Sequence, residues 1–311
     1  MGACLLIFLL GIIVLLFSVD AFVKISSKVW LALRISPLII GVTIVAIGTS
    51  LPELIVSLIA SAKNDQGLAV GNIVGSNIIN VFFVLGVGIL LGNINIGTSK
   101  TQRSALFLVL ATAIYLFLGK IISSPMIFGL IMIATAVVFS WFEVHLGILG
   151  RDHEDKAFVN GKRVRKFNSK MFWSLLLAFA GVVGGGFLVV DSIERISLLT
   201  GYSTTILGLS VIAVVTSLPE LLTTVFSRKK DQGKIAIGNI LGSNIYNLLL
   251  VGGIISLVFP VKAVFGRDLY TLAFATFCAV ILIFVYAGKK VPKKIGAILL
   301  VFFFLYLLSL R

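Results

Sequence analysis

The sequence predicts an all-α integral membrane protein of ten transmembrane helices, arranged as two inverted five-helix repeats. Three observations carry this prediction. Of the 311 residues, 59% are hydrophobic and only 12% are charged. The apolar residues fall in ten long runs separated by short polar stretches. A set of polar motifs recurs within those runs, displaced by 167 positions.

A soluble domain carries about 25% charged residues. A chain this apolar cannot cover itself with a polar surface, so its surface faces lipid. Backbone groups in lipid must be satisfied within the segment, which selects helices. A β-barrel would show short segments of alternating polarity, and these runs are continuous. The net charge of +14 comes from short basic clusters between the runs. That is the pattern of topology signals rather than of a nucleic-acid surface. Cys4 and Cys278 both lie within apolar runs and imply packing thiols, not a disulfide framework or a zinc site.

A spanning helix needs about 20 apolar residues. The ten candidates are 2–23, 34–61, 68–91, 104–119, 125–149, 171–190, 203–227, 235–259, 269–287 and 291–310. The first lacks a basic leader and a cleavage site, so it is expected to remain as a membrane helix. Position 6 is Leu, which does not fit a myristoylation signal. The longest polar stretch, 151–170, reads as a cytoplasmic linker between repeats at 1–150 and 171–311. Ten spans put both termini on one side. With both outside, the inner loops hold 20 of the 26 Lys and Arg residues and the outer ones 6. That asymmetry fixes the orientation.

The repeat is explicit. GVTIVAIGTSLPELIVS at 41–57 is echoed by GLSVIAVVTSLPELLTT at 208–224, and GNIVGSNIIN at 71–80 by GNILGSNIYN at 238–247. A displacement of five helices is odd, so the second copy enters the membrane from the opposite side. Inverted repeats of this kind build many secondary transporters, with the substrate site near mid-membrane between the copies.

Glu53 and Glu220 carry the sharpest chemical signal. A carboxylate at the centre of a span costs about 2.5–3.5 kcal/mol on insertion scales, so it requires a partner or a function. No Lys or Arg stands at matching depth in the helices of the motif. A solution cation or a proton is the remaining partner, against the plainer possibility of two protonated structural acids. Thr49, Ser50, Thr216 and Ser217 precede the acids, and Thr49 and Glu53 share a helix face. Pro52 and Pro219 free carbonyls such as those of Gly48 and Val215. Such oxygens are the hard ligands that Ca²⁺ and Na⁺ prefer, although a lone buried hydroxyl can instead bond back to its own helix.

Ser76 with Asn80, and Ser243 with Asn247, are i, i+4 pairs able to complete an oxygen cage around the acids. The pairs Gly71/Gly75 and Gly238/Gly242 suit close helix packing. Asn72, Asn239, Asn77 and Asn244 are expected to bond interrupted backbone rather than an ion. Asp20 and Asp191 are expected to end their helices at an interface, and Glu143 and His145 to lie at a solvated helix end. His145 and His153 are the only histidines and both fall outside the repeat, leaving little basis for a hydrolytic or zinc enzyme.

On AIGTSLPEL with GNIVGSN-x-x-N, and AVVTSLPEL with GNILGSN-x-x-N, the chain resembles the Ca²⁺:cation antiporter superfamily, and within it the prokaryotic sodium/calcium exchangers. The likeness covers both halves. It implies the ten-helix inverted-repeat fold and a set of ion ligands. Those are Thr49, Ser50, Glu53, Ser76 and Asn80 from one half and Thr216, Ser217, Glu220, Ser243 and Asn247 from the other. Backbone carbonyls of Ala46 and Ala213 would complete the set. Two departures stand out. Val215 replaces a Gly and is expected to stiffen the second helix break. Asn247 replaces the Asp of some relatives, leaving a site charge near −2. Gly-Thr-Ser before Pro-Glu favours Na⁺ over H⁺ coupling by this resemblance, and Asn247 argues against K⁺.

The sequence therefore predicts an antiporter, not an enzyme, exchanging Na⁺ for Ca²⁺ by alternating access. It is expected to need no cofactor, to bind no nucleic acid and to work as a monomer. Its place would be the cell membrane, with both termini extracellular. H⁺/Ca²⁺ or K⁺-dependent exchange through the same glutamates is the alternative, and a passive cation channel the more distant one.

Overall fold

Long apolar runs become helices, and the duplicated motif decides where those helices break. The computed structural model describes residues 1–32, 46–92, 94, 96, 99–149, 168–226, 232–259 and 266–310. The first half holds α1 (Gly2–Ala32), α2 (Ala46–Thr49), α3 (Leu51–Ala62) and α4 (Gln66–Ile79). A π-helical turn (Asn80–Val84) then leads into α5 (Leu85–Leu90), followed by α6 (Ser99–Ile121) and α7 (Pro125–Leu149). The second half opens with α8 (Ser169–Thr200), α9 (Thr204–Leu207), a π turn (Gly208–Ile212), α10 (Ala213–Thr216) and α11 (Leu218–Phe226). It continues with α12 (Gln232–Tyr246), a third π turn (Asn247–Val251), α13 (Gly252–Val258), α14 (Arg267–Val285) and α15 (Lys293–Ser309). Among the described residues there is no β-strand, only an isolated bridge between Ile96 and Lys289.

Eight helical stretches among the described residues are long and apolar enough to cross a membrane. They coincide with eight of the ten runs read from the sequence. The run at 34–61 is described only from 46 onward, and the last run forms a helix of 17 residues. Of the linker expected at 151–170, residues 151–167 lie outside the described residues, and Ser169 and Lys170 already belong to α8, which Asn168 caps. The fourth run is longer than its apolar core suggests, because α6 begins at Ser99 and recruits polar residues into its first turns.

Burial separates two kinds of helix. In the most apolar 18 residues of Gln66–Leu90 and of Ala236–Val258, 83% are buried, against 22% in Gly2–Ser26 and 28% in Pro125–Glu143. The motif-bearing helices thus form the centre. The outer helices present Phe17, Phe117, Val137, Leu177 and Phe277 outward, as a lipid-facing surface requires.

Close approach at the centre depends on glycine. A Cβ on Gly71 would stand 2.8 Å from the Thr205 carbonyl oxygen, and one on Gly75 would stand 2.7 Å from that of Leu209. Both are backbone contacts that cannot move aside, so α4 is held against the Gly208–Ile212 turn by the absence of side chains. The repeat-related positions 38–42 lie outside the described residues. The turn from α3 into α4 uses Asn64 at φ 64°, a left-handed conformation that Asn tolerates. Asp65 then caps α4 by accepting from the Leu68 amide at 2.9 Å.

Helices α1 and α8 pack along each other, crossing at glycines; a Cβ on Gly185 would stand 2.6 Å from the Leu15 amide nitrogen. Leu15, Val19, Val182, Val189 and Ile193 from this pair join Ile55, Val56 and Ala60 of α3 in an apolar cluster separate from the main one.

Three expectations about polar residues are corrected. Neither Asp20 nor Asp191 ends its helix, since α1 runs to Ala32 and α8 to Thr200. Asp20 instead pairs with Lys24 one turn on. Asp191 is fixed by Arg195 at 2.9 Å and by Lys63 at 3.3 Å, and Lys63 also reaches Glu194 at 2.7 Å. Burial alone would lower the Lys63 pKa, but its bonds to Glu194 and Asp191 raise it above the ordinary lysine value. Glu143 is not solvated: it is 2% exposed and accepts from Arg103 Nε at 3.3 Å and Ser104 Oγ at 3.4 Å. Periodicity could not show that α6 places a guanidinium over this acid from another helix.

Candidate ion-binding site

Pro52 and Pro219 lack the amide hydrogen that would continue the helical ladder. Each helix breaks two residues earlier, at Ser50 between α2 and α3 and at Ser217 between α10 and α11. The break residues share one backbone conformation, φ −84°, ψ 3° at Ser50 and φ −81°, ψ 4° at Ser217. Val215 therefore leaves the form of the second break unchanged. What differs is the packing around it. A Cβ on Gly48 would stand 2.6 Å from the Val23 side chain of α1.

The breaks place Glu53 and Glu220 in the first turns of α3 and α11, each 0% exposed. Among the described residues, none of the four carboxylate oxygens has a hydrogen-bond partner. The two acids are near enough for Glu220 to repel Glu53 electrostatically. Of the salt bridges among the described residues, none involves either acid. This is a doubly acidic, dehydrated site with no protein countercharge among the described residues.

The surrounding hydroxyls come crosswise from the two halves. Ser76 and Thr216 flank Glu53, while Ser243 and Thr49 flank Glu220. Thr49 Oγ1 and Ser243 Oγ are 3.0 Å apart, and their repeat-related counterparts, Thr216 Oγ1 and Ser76 Oγ, are 3.1 Å apart. Spacing within one helix suggests that Thr49 serves Glu53. Packing shows instead that each threonine serves the acid of the other half, because α2 lies against α12 and α10 against α4.

Ser50 and Ser217 are buried, and their hydroxyls have no partner. The Ala213 carbonyl accepts the Ser217 amide at 3.1 Å and keeps a second lone pair. Ala46 opens α2. Asn80 and Asn247 each begin a π turn, a local unwinding that is frequent at functional sites. Each turn packs against the glutamate-bearing helix of the opposite half. Asn80 donates through Nδ2 to Asn244 Oδ1 at 3.0 Å, and its Oδ1 stays unpaired. Both amide atoms of Asn247 are buried and unpaired. The buried oxygens in and around the site are thus rich in free acceptor capacity, and their chemistry fits a hard cation.

Of the repeated asparagines of the GN-x-x-GSN blocks, Asn72, Asn77 and Asn244 bond backbone as expected, whereas Asn239 does not: its Oδ1 accepts from Thr49 and its Nδ2 has no partner among the described residues. Asn72 donates to the Glu53 carbonyl at 3.2 Å, which is bonding to interrupted backbone. Asn77 donates to the Ile73 carbonyl at 2.8 Å, and Asn244 to the Asn77 carbonyl at 3.1 Å. Ser57 was not anticipated. It accepts from Asn72 Nδ2 at 2.9 Å and donates to the Ala69 carbonyl at 3.3 Å. Its signal in the sequence is a small polar residue one turn after Glu53 in an otherwise apolar stretch.

With this geometry in hand, comparison with known proteins is decisive. The family model for the sodium/calcium exchanger protein matches residues 4–145 and 170–310. The chain belongs to the sodium/calcium exchanger family. This exchanger is 33% identical to the sodium/calcium exchanger MaX1 of Methanosarcina acetivorans, covering 98% of this chain and 97% of that one. It is 32% identical to the inner membrane protein YrbG of Escherichia coli, covering 87% of each. Among solved structures it matches the sodium-calcium exchanger NCX_Mj soaked with Na⁺ and Sr²⁺, with a TM-score of 0.67, 26% identity and 99% of both chains covered. As a member of an exchanger family, the protein is a multi-pass membrane transporter and not an enzyme.

Proposed function

We propose that this exchanger moves Ca²⁺ against Na⁺ by alternating access, with the ions held by Glu53 and Glu220 and the buried oxygens around them. One observation carries the reading: two fully buried carboxylates lie close together, and among the described residues no protein cation pairs with either. Two negative charges balance one Ca²⁺, and replacement by Na⁺ lets the Na⁺ gradient drive Ca²⁺ across. More than two Na⁺ per Ca²⁺ would make exchange sensitive to voltage. The empty site crosses poorly because two bare carboxylates in a low-dielectric setting are costly. That barrier is what couples the two fluxes.

The ligand set is the carboxylates of Glu53 and Glu220 and the hydroxyls of Thr49, Ser50, Ser76, Thr216, Ser217 and Ser243. The amide oxygens of Asn80 and Asn247 and the carbonyls of Ala46 and Ala213 complete it. Ten spans in two inverted repeats, 1–150 and 171–311, would place this set at the pseudo-two-fold axis. Matching breaks at Ser50 and Ser217, and matching π turns at Asn80 and Asn247, support that arrangement. The α1–α8 pair, with its own apolar cluster, is the element best suited to slide over the core and alternate access. The protein would work as a monomer in the cell membrane with both termini outside, and without a cofactor.

The test is ⁴⁵Ca²⁺ uptake into proteoliposomes under Na⁺, K⁺ and H⁺ gradients imposed one at a time. Uptake driven by outward Na⁺ alone is the expected result. Uptake that follows a pH gradient and ignores Na⁺ would assign the coupling ion to H⁺. Currents persisting without any counter-ion would indicate a channel.

A further inference from the structure

Ser76 and Thr216 lie beside the Glu53 carboxylate, within reach of a hydrogen bond to it, yet in this conformation neither hydroxyl makes one. An ionised carboxylate is a strong acceptor, so the hydroxyl protons must be committed elsewhere. A hydroxyl has one proton to give, and that of Thr216 goes to Asn72 Oδ1 at 3.0 Å. The competing acceptor, the Ala213 carbonyl of its own helix, is farther at 3.5 Å. With its proton used, Thr216 can only accept in its 3.1 Å contact with Ser76. Ser76 therefore donates to Thr216, and Thr216 to Asn72.

The orientation of Asn72 is fixed by its other end. Its Nδ2 donates to the Glu53 carbonyl at 3.2 Å and to Ser57 Oγ at 2.9 Å, while Ser57 spends its own proton on the Ala69 carbonyl. A carbonyl oxygen only accepts, so the amide cannot be reversed without losing this anchor. Building on the cation-exchange function proposed above, on which this rests, we infer that Asn72 is a positioning residue that turns the hydroxyl protons of Thr216 and Ser76 away from Glu53. Two hydroxyl oxygens and a carboxylate then face the ion as lone pairs only.

Without Asn72, the Thr216 proton is free to turn to Glu53, and the Ser76 proton is no longer held by a Thr216 oxygen committed to accept. The empty carboxylate would be satisfied by the protein, and an arriving cation would have to break those bonds. The second half carries a looser version. Thr49 donates to Asn239 Oδ1 at 3.3 Å, and Asn239 Nδ2 has no partner among the described residues. Asn72 is thus the better anchored of the pair in this conformation.

The test compares Asn72→Leu, Asn72→Asp and Thr216→Val, alone and as the Asn72→Leu/Thr216→Val double variant. Apparent Ca²⁺ affinity is read from Ca²⁺-dependent thermal stabilisation of purified protein, and KM and maximal rate from ⁴⁵Ca²⁺ uptake. Asn72→Leu is expected to weaken Ca²⁺ binding and raise KM about tenfold or more, the scale of hydrogen bonds to a charged group, with the maximal rate largely kept. Asn72→Asp, as the neutral acid that burial favours, keeps an acceptor for Thr216 and an O–H donor for the Glu53 carbonyl, and is expected to stay within about threefold of wild type. In the Thr216→Val background, Asn72→Leu should add little, because the relay is already cut. Unchanged affinity in Asn72→Leu, or an equal loss with and without Thr216, would overturn the assignment. If Asn72→Leu does not fold, Asn239→Leu tests the same relay through Thr49 and Ser243, and an unchanged affinity there counts against it. Binding is read with no Na⁺ gradient, so an error in the coupling ion leaves this measurement intact.

Discussion

Replacing either glutamate by glutamine removes one charge from the site and keeps the shape of the side chain. Both acids are 0% exposed, so the interaction is not attenuated by solvent. At an effective dielectric near 20 and a separation of about 4 Å, a divalent ion and a carboxylate attract by about 8 kcal/mol. Part of that is offset by the several kcal/mol it costs to bury the carboxylate. Relief of the repulsion between Glu53 and Glu220 offsets more. The net loss expected for Glu53→Gln or Glu220→Gln is about 3–5 kcal/mol, the range for removing one partner of a buried ion pair. That corresponds to Ca²⁺ binding weaker by about 150- to 5,000-fold. A monovalent ion loses half the attraction, so selectivity should shift from Ca²⁺ towards Na⁺.

The assay is Ca²⁺- and Na⁺-dependent thermal stabilisation of the purified variants, alongside ⁴⁵Ca²⁺ uptake driven by Na⁺. A ligand at about 100 times its Kd stabilises by about 2.7 kcal/mol, so wild type should melt measurably higher in Ca²⁺ than in chelator. Each Gln variant should lose that shift while melting, without ions, at or above the wild-type temperature, since an unpaired buried charge is gone. A Gln variant that folds normally and keeps the wild-type Ca²⁺ dependence of uptake would refute the two-carboxylate mechanism.

Two further predictions concern the scaffold. Gly75→Val would drive a side chain into the Leu209 carbonyl and the Ala213 methyl, at 2.7 and 2.8 Å from the first added carbon. Overpacking of this kind costs about 1–3 kcal/mol or more, and Na⁺-driven Ca²⁺ uptake should fall sharply because α10 is displaced; Gly184→Ala, with open space around it, should instead be neutral or stabilising by about 0.5–1 kcal/mol in the same melts. Arg103→Met would strand the buried Glu143 carboxylate and should cost about 2–3 kcal/mol, less than a fully buried pair because the arginine is 28% exposed; adding Glu143→Gln should restore most of the lost melting temperature, and no restoration would show that the pair is not coupled.

Much of this site was legible in the chain because membrane interiors tolerate few polar residues. A carboxylate in a long apolar run identifies itself by its cost, as Glu53 and Glu220 do, and the duplication marks both at once. Pro52 and Pro219 announced the helix breaks for the same local reason, the missing amide hydrogen. Helix ends near the surface were less legible. The segments that extend α1 and α8 past Asp20 and Asp191 mix charged with apolar residues, and for α8 a partner on another element, Lys63, shows what its charged side chains bond to.

The sequence by itself determined that the protein is a membrane-embedded helical exchanger, where its two acids of the repeated motif stand and where its helices break. Those properties depend on composition and on bonds within a few residues. Tertiary structure alone decided that Thr216 serves Glu53 and Thr49 serves Glu220, that Ser57 anchors Asn72, and that Glu143 is buried under Arg103. Each of these is a contact between different helices, which no spacing within one helix encodes. Spacing along one helix fixes the face a side chain occupies, while the neighbour that face meets is set by how closely glycines such as Gly71 and Gly75 let the helices approach.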